Sequence, residues 1–179
     1  MQTATSIDVR QSLDWFYKHI QSLSNRAHNR LNKNVFSPKA DPFIGGMFFF
    51  QYDPKTKDTL PYYDKFPLVI PFNVYGDGFI GLNIHYLPPA ARGALLDRLM
   101  HYKTKSKSSL SYMKISYKLL QAAVASSLFQ PCIHRYLTSH LRSDIVMVQP
   151  EYWKKAALLP VQQFEKAGSR KVWNNSSRR

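Results

Sequence analysis

Apolar residues are densest between residues 45 and 89, where short apolar runs are separated by turn-forming residues. The runs over residues 47–52 and 68–75 have the length and the aromatic and β-branched content of strands. An Asp-Gly pair then provides a hairpin turn, and residues 79–87 alternate apolar and polar side chains with the period of a half-buried strand. We therefore predict a small antiparallel β-core, for which an SH3-like barrel is one candidate.

Pro71 interrupts the second of these runs. Proline has no amide hydrogen to donate to a neighbouring strand, so it is tolerated in sheets at edges and at bulges. We therefore expect this strand to lie at the edge of the sheet or to carry a bulge at Pro71.

Apolar residues at spacings of three and four predict helices on both sides of the β-core. The resulting fold class is α+β, with residues 1–167 forming a single domain whose sheet is covered by helices. Residues 168–179 contain no acidic residue and few apolar ones, which predicts a basic, flexible tail. In chain order we predict an N-terminal helix (7–34), the β-core (45–89), a helical part (90–142, with a short helix over 133–142), a return strand (144–149) and a C-terminal helix (151–167). Whether residues 145–148 join the sheet is left open by the pattern.

The composition excludes several protein classes. The chain has 179 residues, enough for one domain with a substantial core, and no apolar run approaches the roughly 20 residues that span a bilayer. Its first residues lack a secretory pattern, so we expect a soluble intracellular protein or a virion component assembled in the host cytoplasm. Cys132 is the single cysteine, which excludes an intrachain disulfide and a cysteine-rich zinc site and favours buried packing for its side chain.

The charge is strongly asymmetric. The chain carries 25 Lys and Arg against 11 Asp and Glu, a formal net charge of +14. Residues 1–100 contribute 11 basic and 8 acidic side chains (+3), and residues 101–179 contribute 14 basic and 3 acidic ones (+11). An excess of this kind in one half favours contact with a polyanion or with an acidic protein surface.

No arrangement typical of catalysis or metal binding is present. The six histidines match no usual ligand spacing, and there is no phosphate-binding glycine loop and no nucleophile elbow. Four aspartates, at positions 53, 58, 64 and 77, lie in or beside turns, where Asp typically bonds to nearby backbone. We therefore predict a protein that is not an enzyme and that uses no metal and no cofactor.

Two candidate binding surfaces follow from the basic and aromatic residues. Cations interleaved with aromatic residues are typical of phosphate-binding surfaces that also stack bases. The candidate polyanion-binding residues are Lys103, Lys105, Lys107, Lys114, Lys118, Arg135, Arg142, Lys154 and Lys155.

The second surface would meet a protein. Two adjacent tyrosines and a phenylalanine lie between the first two strands, where they either pack against the core or contact a partner. A tryptophan in a basic tail is typical of an anchor that enters a partner's pocket. The candidate partner-binding residues are Tyr62, Tyr63, Phe66, Arg170, Lys171, Trp173, Arg178 and Arg179.

The β-core also carries a family resemblance. Its sequence reads YDPK at residues 52–55, LPYYDKFPLV at 60–69 and DGFIGLNIHYLPP at 77–89. These segments resemble a structural protein of T-even-like tailed bacteriophages, of the DNA-end protector or head completion class. The resemblance covers residues 47–99 and supplies no pattern of catalytic residues.

The resemblance implies a non-enzymatic virion protein that binds the ends of packaged double-stranded DNA and completes the head and neck. The alternative is a tail or baseplate subunit, of the hub or wedge, whose basic half and tail dock on neighbouring virion proteins. Either way, the expected partners are portal, neck or baseplate subunits in a symmetric oligomeric assembly, with no membrane involved.

Overall fold

The computed structural model describes residues 44–105, 129–149 and 152–177 of the chain, and for residues 98–105 the backbone alone. Mixed helices and antiparallel strands form a single α+β domain, which confirms the predicted fold class. The strands are β1 (Met47–Phe49), β2 (Tyr63–Asp64), β3 (Leu68–Tyr75), β4 (Gly78–Asn83), β5 (Ile133–Leu137), β6 (Val146–Val148) and β7 (Phe164–Glu165). The α-helices are α1 (Pro89–Lys105), α2 (Trp153–Leu158) and α3 (Ser169–Ser177), and short 3-10 helices cover Ile84–Tyr86, Gln130–Cys132 and Thr138–His140.

Five strands form the main sheet in the order β5-β4-β3-β1-β6, and every neighbouring pair is antiparallel. β6 pairs with β1 through Phe48 and Met147, so residues 146–148 do join the sheet. A second, two-stranded sheet pairs Tyr63 of β2 with Glu165 of β7. The SH3-like arrangement stays a prediction.

The central hairpin forms as the sequence predicts, except that its turn lies one residue earlier than the predicted Asp-Gly pair. β3 and β4 pair around Gly76 and Asp77, and Gly78 already belongs to β4. A Cβ on Gly78 would lie 2.0 Å from the carbonyl oxygen of Tyr136, so the close approach of β5 requires glycine there. The expected bulge is confirmed, because the register shifts at Pro71, although β3 is a central strand and not an edge.

The two faces of the sheet pack differently. One face, with Leu68, Ile70 and Leu82, joins apolar residues of the three helices in the larger core. The opposite face carries a smaller, mainly aromatic cluster, whose buried members are Phe48, Phe50, Tyr52, Val69, Phe79 and Tyr136. Rings in this cluster meet edge to face, a favoured arrangement, with the Phe50 and Tyr136 centroids 5.3 Å apart.

Three sequence predictions need correction. Residues 133–137 form the edge strand β5, not the predicted short helix, because pairing with β4 satisfies their backbone. The predicted C-terminal helix is limited to α2, after which the chain forms β7. The predicted flexible tail contains helix α3, which is ordered by burial of Val172 and Ser176.

The remaining predicted elements lie only partly within the described residues. The helix expected from residue 90 is confirmed as α1. Cys132 is fully buried, as expected, and burial raises the pKa of its thiol to about 12. The N-terminal helix over 7–34 and residues 106–128 of the predicted helical part lie outside the described residues. Within the described segments, no helix is both long and apolar enough to cross a membrane.

Candidate nucleic-acid interface

An open cleft of about 400 Å³ lies between the β4–β5 end of the main sheet and the chain segment that links β1 to β2. The floor comes from β4, β5 and the 3-10 helix that follows β4. The wall comes from residues 54–63. Lining residues include Tyr52, Tyr62, Tyr63, Tyr86, His134 and Tyr136.

The alternation of β5 places the floor residues. His134 and Tyr136 are two residues apart, so they lie on the same face of the sheet, opposite Gly81 and Phe79 of β4. A Cβ on Gly81 would lie 2.3 Å from Cγ1 of Val69, so glycine is required where β3 packs beside the cleft floor.

Aromatic rings follow one another across the cleft. The Tyr62 and Tyr86 centroids are 6.1 Å apart, and the Tyr86 and His134 centroids 4.3 Å. The series continues from His134 to Tyr136 at 6.4 Å and from Tyr136 to Tyr52 at 4.9 Å. Rings at these separations support one another, so the floor is a packed aromatic surface.

The rings differ in exposure. Tyr52, Tyr86 and Tyr136 are buried and form the base, whereas Tyr62, Tyr63 and His134 are half-buried and reach solvent. Tyr63 contacts no other ring among the described residues. Its position comes from the backbone pairing of β2 with β7. Tyr63 therefore offers a ring that is held in place and still accessible.

The wall of the cleft is braced from outside. The ammonium group of Lys166 donates hydrogen bonds to the carbonyl oxygens of Lys57, Asp58 and Leu60, at 2.6, 3.0 and 3.2 Å. Lys166 has a positive φ of 67°, an uncommon backbone conformation for a residue other than glycine. The segment opposite the floor is thus tied to the residue that follows β7.

The rings of the floor are neutral at physiological pH. Burial lowers the pKa of His134 to about 4, and its Nε2 atom lies 3.0 Å from the carbonyl oxygen of Pro131. Burial also raises the pKa values of Tyr86 and Tyr136 above that of free tyrosine. The cleft therefore presents uncharged aromatic faces.

Charged groups stand at the rim. Arg135 donates two hydrogen bonds of 2.8 Å to the carboxylate of Asp77 and lies over the ring of Tyr75, with its guanidinium carbon 5.3 Å from the ring centroid. Lys55 is exposed and forms no ion pair within the described part of the chain. Among the described residues, Arg135, which is paired with Asp77, and Lys55, which forms no ion pair, therefore border the rings.

A buried polar cluster contributes Asp64 and Asn83 to the lining of the cleft and extends beneath it. The Asp64 carboxylate accepts hydrogen bonds from His85 Nδ1 (2.7 Å), the Asn83 amide (3.1 Å) and the backbone amides of Phe66 and Gln163. Burial lowers the pKa of His85, so its ring is neutral and donates through Nδ1. The His85 side chain is shielded from solvent, and this pair joins β2 to the 3-10 helix that follows β4.

Arg92 extends this cluster towards the helices. Its guanidinium group donates to the carbonyl oxygens of Leu87, Ala157 and His85 at 2.8, 2.9 and 3.0 Å. Burial lowers its pKa to about 10, so it stays charged at neutral pH. Trp173 of α3 donates from Nε1 to the same His85 carbonyl at 2.9 Å, and Arg92 lies over its ring. The predicted tail anchor thus has its pocket within its own chain.

The predicted polyanion-binding residues do not form one free surface among the described residues. Arg135, Arg142 and Lys154 pair with Asp77, Asp53 and Asp97 respectively. Lys155 is exposed on α2, and Lys103 and Lys105 lie in the last turn of α1. Lys107, Lys114 and Lys118 lie outside the described residues.

The predicted partner-binding residues divide into packed and exposed ones. Phe66 stacks on Phe49 with centroids 6.2 Å apart, and Tyr62 packs against the larger core, as the packed-loop interpretation requires. Arg170 and Lys171 are exposed on α3. Arg178 and Arg179 lie outside the described residues.

Sequence reasoning missed the floor of the cleft. Tyr86 and His134 are 48 positions apart, and they meet because β4 and β5 pair. Their signal was the alternation within IHRYL, which also fits a helix. Among the described residues, no three His, Cys, Asp or Glu side chains converge as a metal site would require.

Comparison with known proteins gives one result for nearly the whole chain. A family model described as phage T4 terminal DNA protecting protein matches residues 2–176. No curated protein and no solved structure matches the chain.

Proposed function

Because the chain belongs to the phage T4 terminal DNA protecting protein family, we propose that it binds the ends of the packaged phage DNA and shields them from degradation. Protection of this kind needs a surface that occupies the terminus. It does not need a reaction, and we propose that the protein acts without catalysis.

The aromatic cleft is the observation that carries this proposal. Proteins that bind unpaired nucleic acid combine aromatic rings, on which bases stack, with cations that contact phosphates. The cleft has three accessible rings, Tyr62, Tyr63 and His134, and the cations Lys55 and Arg135 stand at its rim. Base faces are exposed at a DNA terminus and covered along the duplex, so a stacking surface favours ends.

The charge of the whole chain supports the same function. A net charge of +14 attracts a polyanion over the range of the Debye length and favours binding through release of counterions. This attraction does not depend on sequence or on ends. In our proposal it supplies affinity for DNA in general, and the cleft supplies the preference for termini.

We also propose that the protein completes the phage head by contacting portal or neck subunits as part of a symmetric assembly. Two exposed features support a protein neighbour: Leu158, which is 56% exposed at the end of α2, and the basic pair Arg170 and Lys171 on α3. The family match gives no support to the alternative position in the tail or baseplate.

The test is an exonuclease assay on linear duplex DNA with the purified full-length chain. We expect the protein to lengthen the lifetime of linear DNA at least about tenfold at saturation. A double substitution, Tyr62→Ser with Tyr63→Ser, should abolish protection, whereas Leu158→Ser, at an exposed residue that does not line the cleft, should leave it unchanged. An endonuclease acting on closed circular DNA serves as the control and should be unaffected.

Two results would contradict the proposal. One is digestion of linear DNA at the same rate with and without saturating protein. The other is equal binding to open-ended DNA and to the same duplex with hairpin-capped ends.

A further inference from the structure

The size of the cleft limits what it can hold. Its volume of about 400 Å³ lies in the range of about 300–1,000 Å³ typical of sites for small molecules. A cube of this volume has an edge of about 7 Å, whereas the major groove of B-DNA alone is about 12 Å wide. The size of the cleft therefore suits a single base better than an intact duplex end.

The accessible ring of Tyr63 provides a stacking face. It is half-buried and contacts no other ring among the described residues, whereas Tyr86 and Tyr136 are buried by their neighbours. Every base has a π-face, so stacking on a tyrosine does not depend on which base is present.

The polar groups of the floor are already in use. Asn83 donates to Asp64 and accepts from the backbone amide of His85. The Tyr52 hydroxyl accepts from the backbone amide of Leu137, and His134 Nε2 is paired with the carbonyl oxygen of Pro131. These groups are not free to read the edge of a base, and stacking on a ring accepts any base.

Within the described part of the chain, the rim offers Lys55 as a cation for a phosphate. The carboxylate of Asp77 already holds Arg135, through two hydrogen bonds of 2.8 Å. Lys55, in contrast, is exposed and forms no ion pair within the described residues. A nucleotide whose base enters between the wall and the floor would carry its phosphate at this rim.

From these observations we propose that the cleft takes one unpaired terminal nucleotide, with its base stacked on Tyr63 and its phosphate at Lys55. This inference rests on the proposed function and specifies its ligand: an unstacked base at a DNA end, bound without regard to sequence. The remainder of the DNA stays outside the cleft.

The experiment measures binding of the full-length chain to duplexes of identical sequence with different ends. The ends are hairpin-capped, blunt, or extended by two unpaired nucleotides on the 3′ or the 5′ strand. We expect at least one extended duplex to bind about tenfold more tightly than the blunt one. Tyr63→Leu should weaken that binding by about 5- to 160-fold, the range measured for loss of one base–aromatic stack. Tyr63→Phe keeps the ring and should bind as the wild type does.

A spectroscopic readout makes the test independent of affinity and of partial misfolding. A 2-aminopurine base in the extension loses fluorescence when it stacks on an aromatic ring. We expect saturating wild-type protein and Tyr63→Phe to quench it, and Tyr63→Leu to leave it bright. Leu158→Ala, which shortens an exposed side chain that does not line the cleft, should quench as the wild type does.

The possible failures are distinguishable. Equal affinity for blunt and extended ends, together with a bright 2-aminopurine in the wild-type complex, would overturn this inference and leave end protection standing. Equal affinity for hairpin-capped and open ends would overturn the proposed function itself.

Discussion

The aromatic cleft and the buried polar cluster meet at Asn83, which lines the cleft and donates a hydrogen bond to Asp64. The two regions differ in residue type and in exposure to solvent. The polar cluster of Asp64, His85 and Arg92 has the residue types of a catalytic site, yet these side chains are at most 4% exposed and their hydrogen bonds end on the protein itself. The lining of the cleft includes five tyrosines and a histidine, and three of these rings, Tyr62, Tyr63 and His134, reach solvent. Accessibility, and not residue type, separates the site from its support.

The comparison also explains why the support is polar. Asp64 binds amides of two separate segments, and Arg92 binds carbonyls from the end of the 3-10 helix and from α2. An apolar core would not fix these backbone groups in position. The cluster therefore sets the geometry of the cleft, which lies directly above it.

The largest expected effect comes from removing the centre of the support. Arg92→Met leaves several buried carbonyl oxygens without donors, and each such group costs about 1–3 kcal/mol. We expect the free energy of unfolding, measured by urea denaturation, to fall by at least about 3 kcal/mol. Arg135→Met, which breaks an exposed ion pair at the rim, should cost less than about 1 kcal/mol. Equal losses of unfolding free energy in the two variants would contradict the distinction between the buried polar cluster and the rim of the cleft.

A smaller effect should follow from filling the space beside the cleft floor. Gly81→Ala places a methyl group against Val69 and the β3 backbone, so overpacking should cost about 1–3 kcal/mol. Gly93→Ala in α1 meets open space and should stabilise the protein by up to about 1 kcal/mol, through helix propensity. Urea midpoints of both variants measure the contrast. A neutral Gly81→Ala would mean that the floor is not tightly packed.

Protonation of His134, the histidine in the cleft floor, should make the stability of the protein depend on pH. The pKa of His134 is about 4 in the folded protein and about 6.5 in the unfolded chain. Between these two pH values the unfolded state binds a proton at His134 and the folded state does not, so protonation favours unfolding. Stability should therefore fall as the pH is lowered from 7 to 4.5, and burial of His85 adds to the loss. In His134→Phe the urea midpoint should vary less steeply with pH; an unchanged slope would contradict the assignment.

The smallest effect concerns the free cation of the rim. If Lys55 neutralises one phosphate, Lys55→Gln should reduce the slope of log Kd against log salt by about 1. Lys65→Gln removes a lysine that pairs with Glu165 and does not line the cleft, so its slope should match the wild type. Binding titrations between low and physiological salt measure both. An equal reduction for the two lysines would place DNA elsewhere on the protein.

Local signals predicted much of the described fold. The β3–β4 hairpin, the bulge at Pro71 and helix α1 follow from turn residues, missing amide hydrogens and helix formers within a few positions of each other. β5 was mistaken for a helix because its pattern fits both periods, and its pairing with β4 joins residues more than 50 positions apart. Such long-range pairing leaves no local signal.

The site was less predictable than the fold. Tyr62 and Tyr63 are contact candidates from the sequence, but a sequence does not tell that Tyr62 packs against other rings whereas Tyr63 contacts none among the described residues. The sequence predicts a turn residue at Asp64, because nothing near it in the chain indicates its hydrogen-bond partner, His85, which lies 21 positions away. Trp173 had the composition of a tail anchor, and the structure shows the pocket to be the chain's own.

The central claim is that a DNA terminus enters the aromatic cleft, and photo-crosslinking tests it most directly. A linear duplex carries 5-iododeoxyuridine either at its terminal nucleotide or in its middle, and crosslinked residues are identified by mass spectrometry. The account predicts that the terminal label attaches to Tyr62, Tyr63 or His134 and that the internal label does not. Attachment of the terminal label only to residues outside the cleft, or the same pattern from both labels, would contradict it.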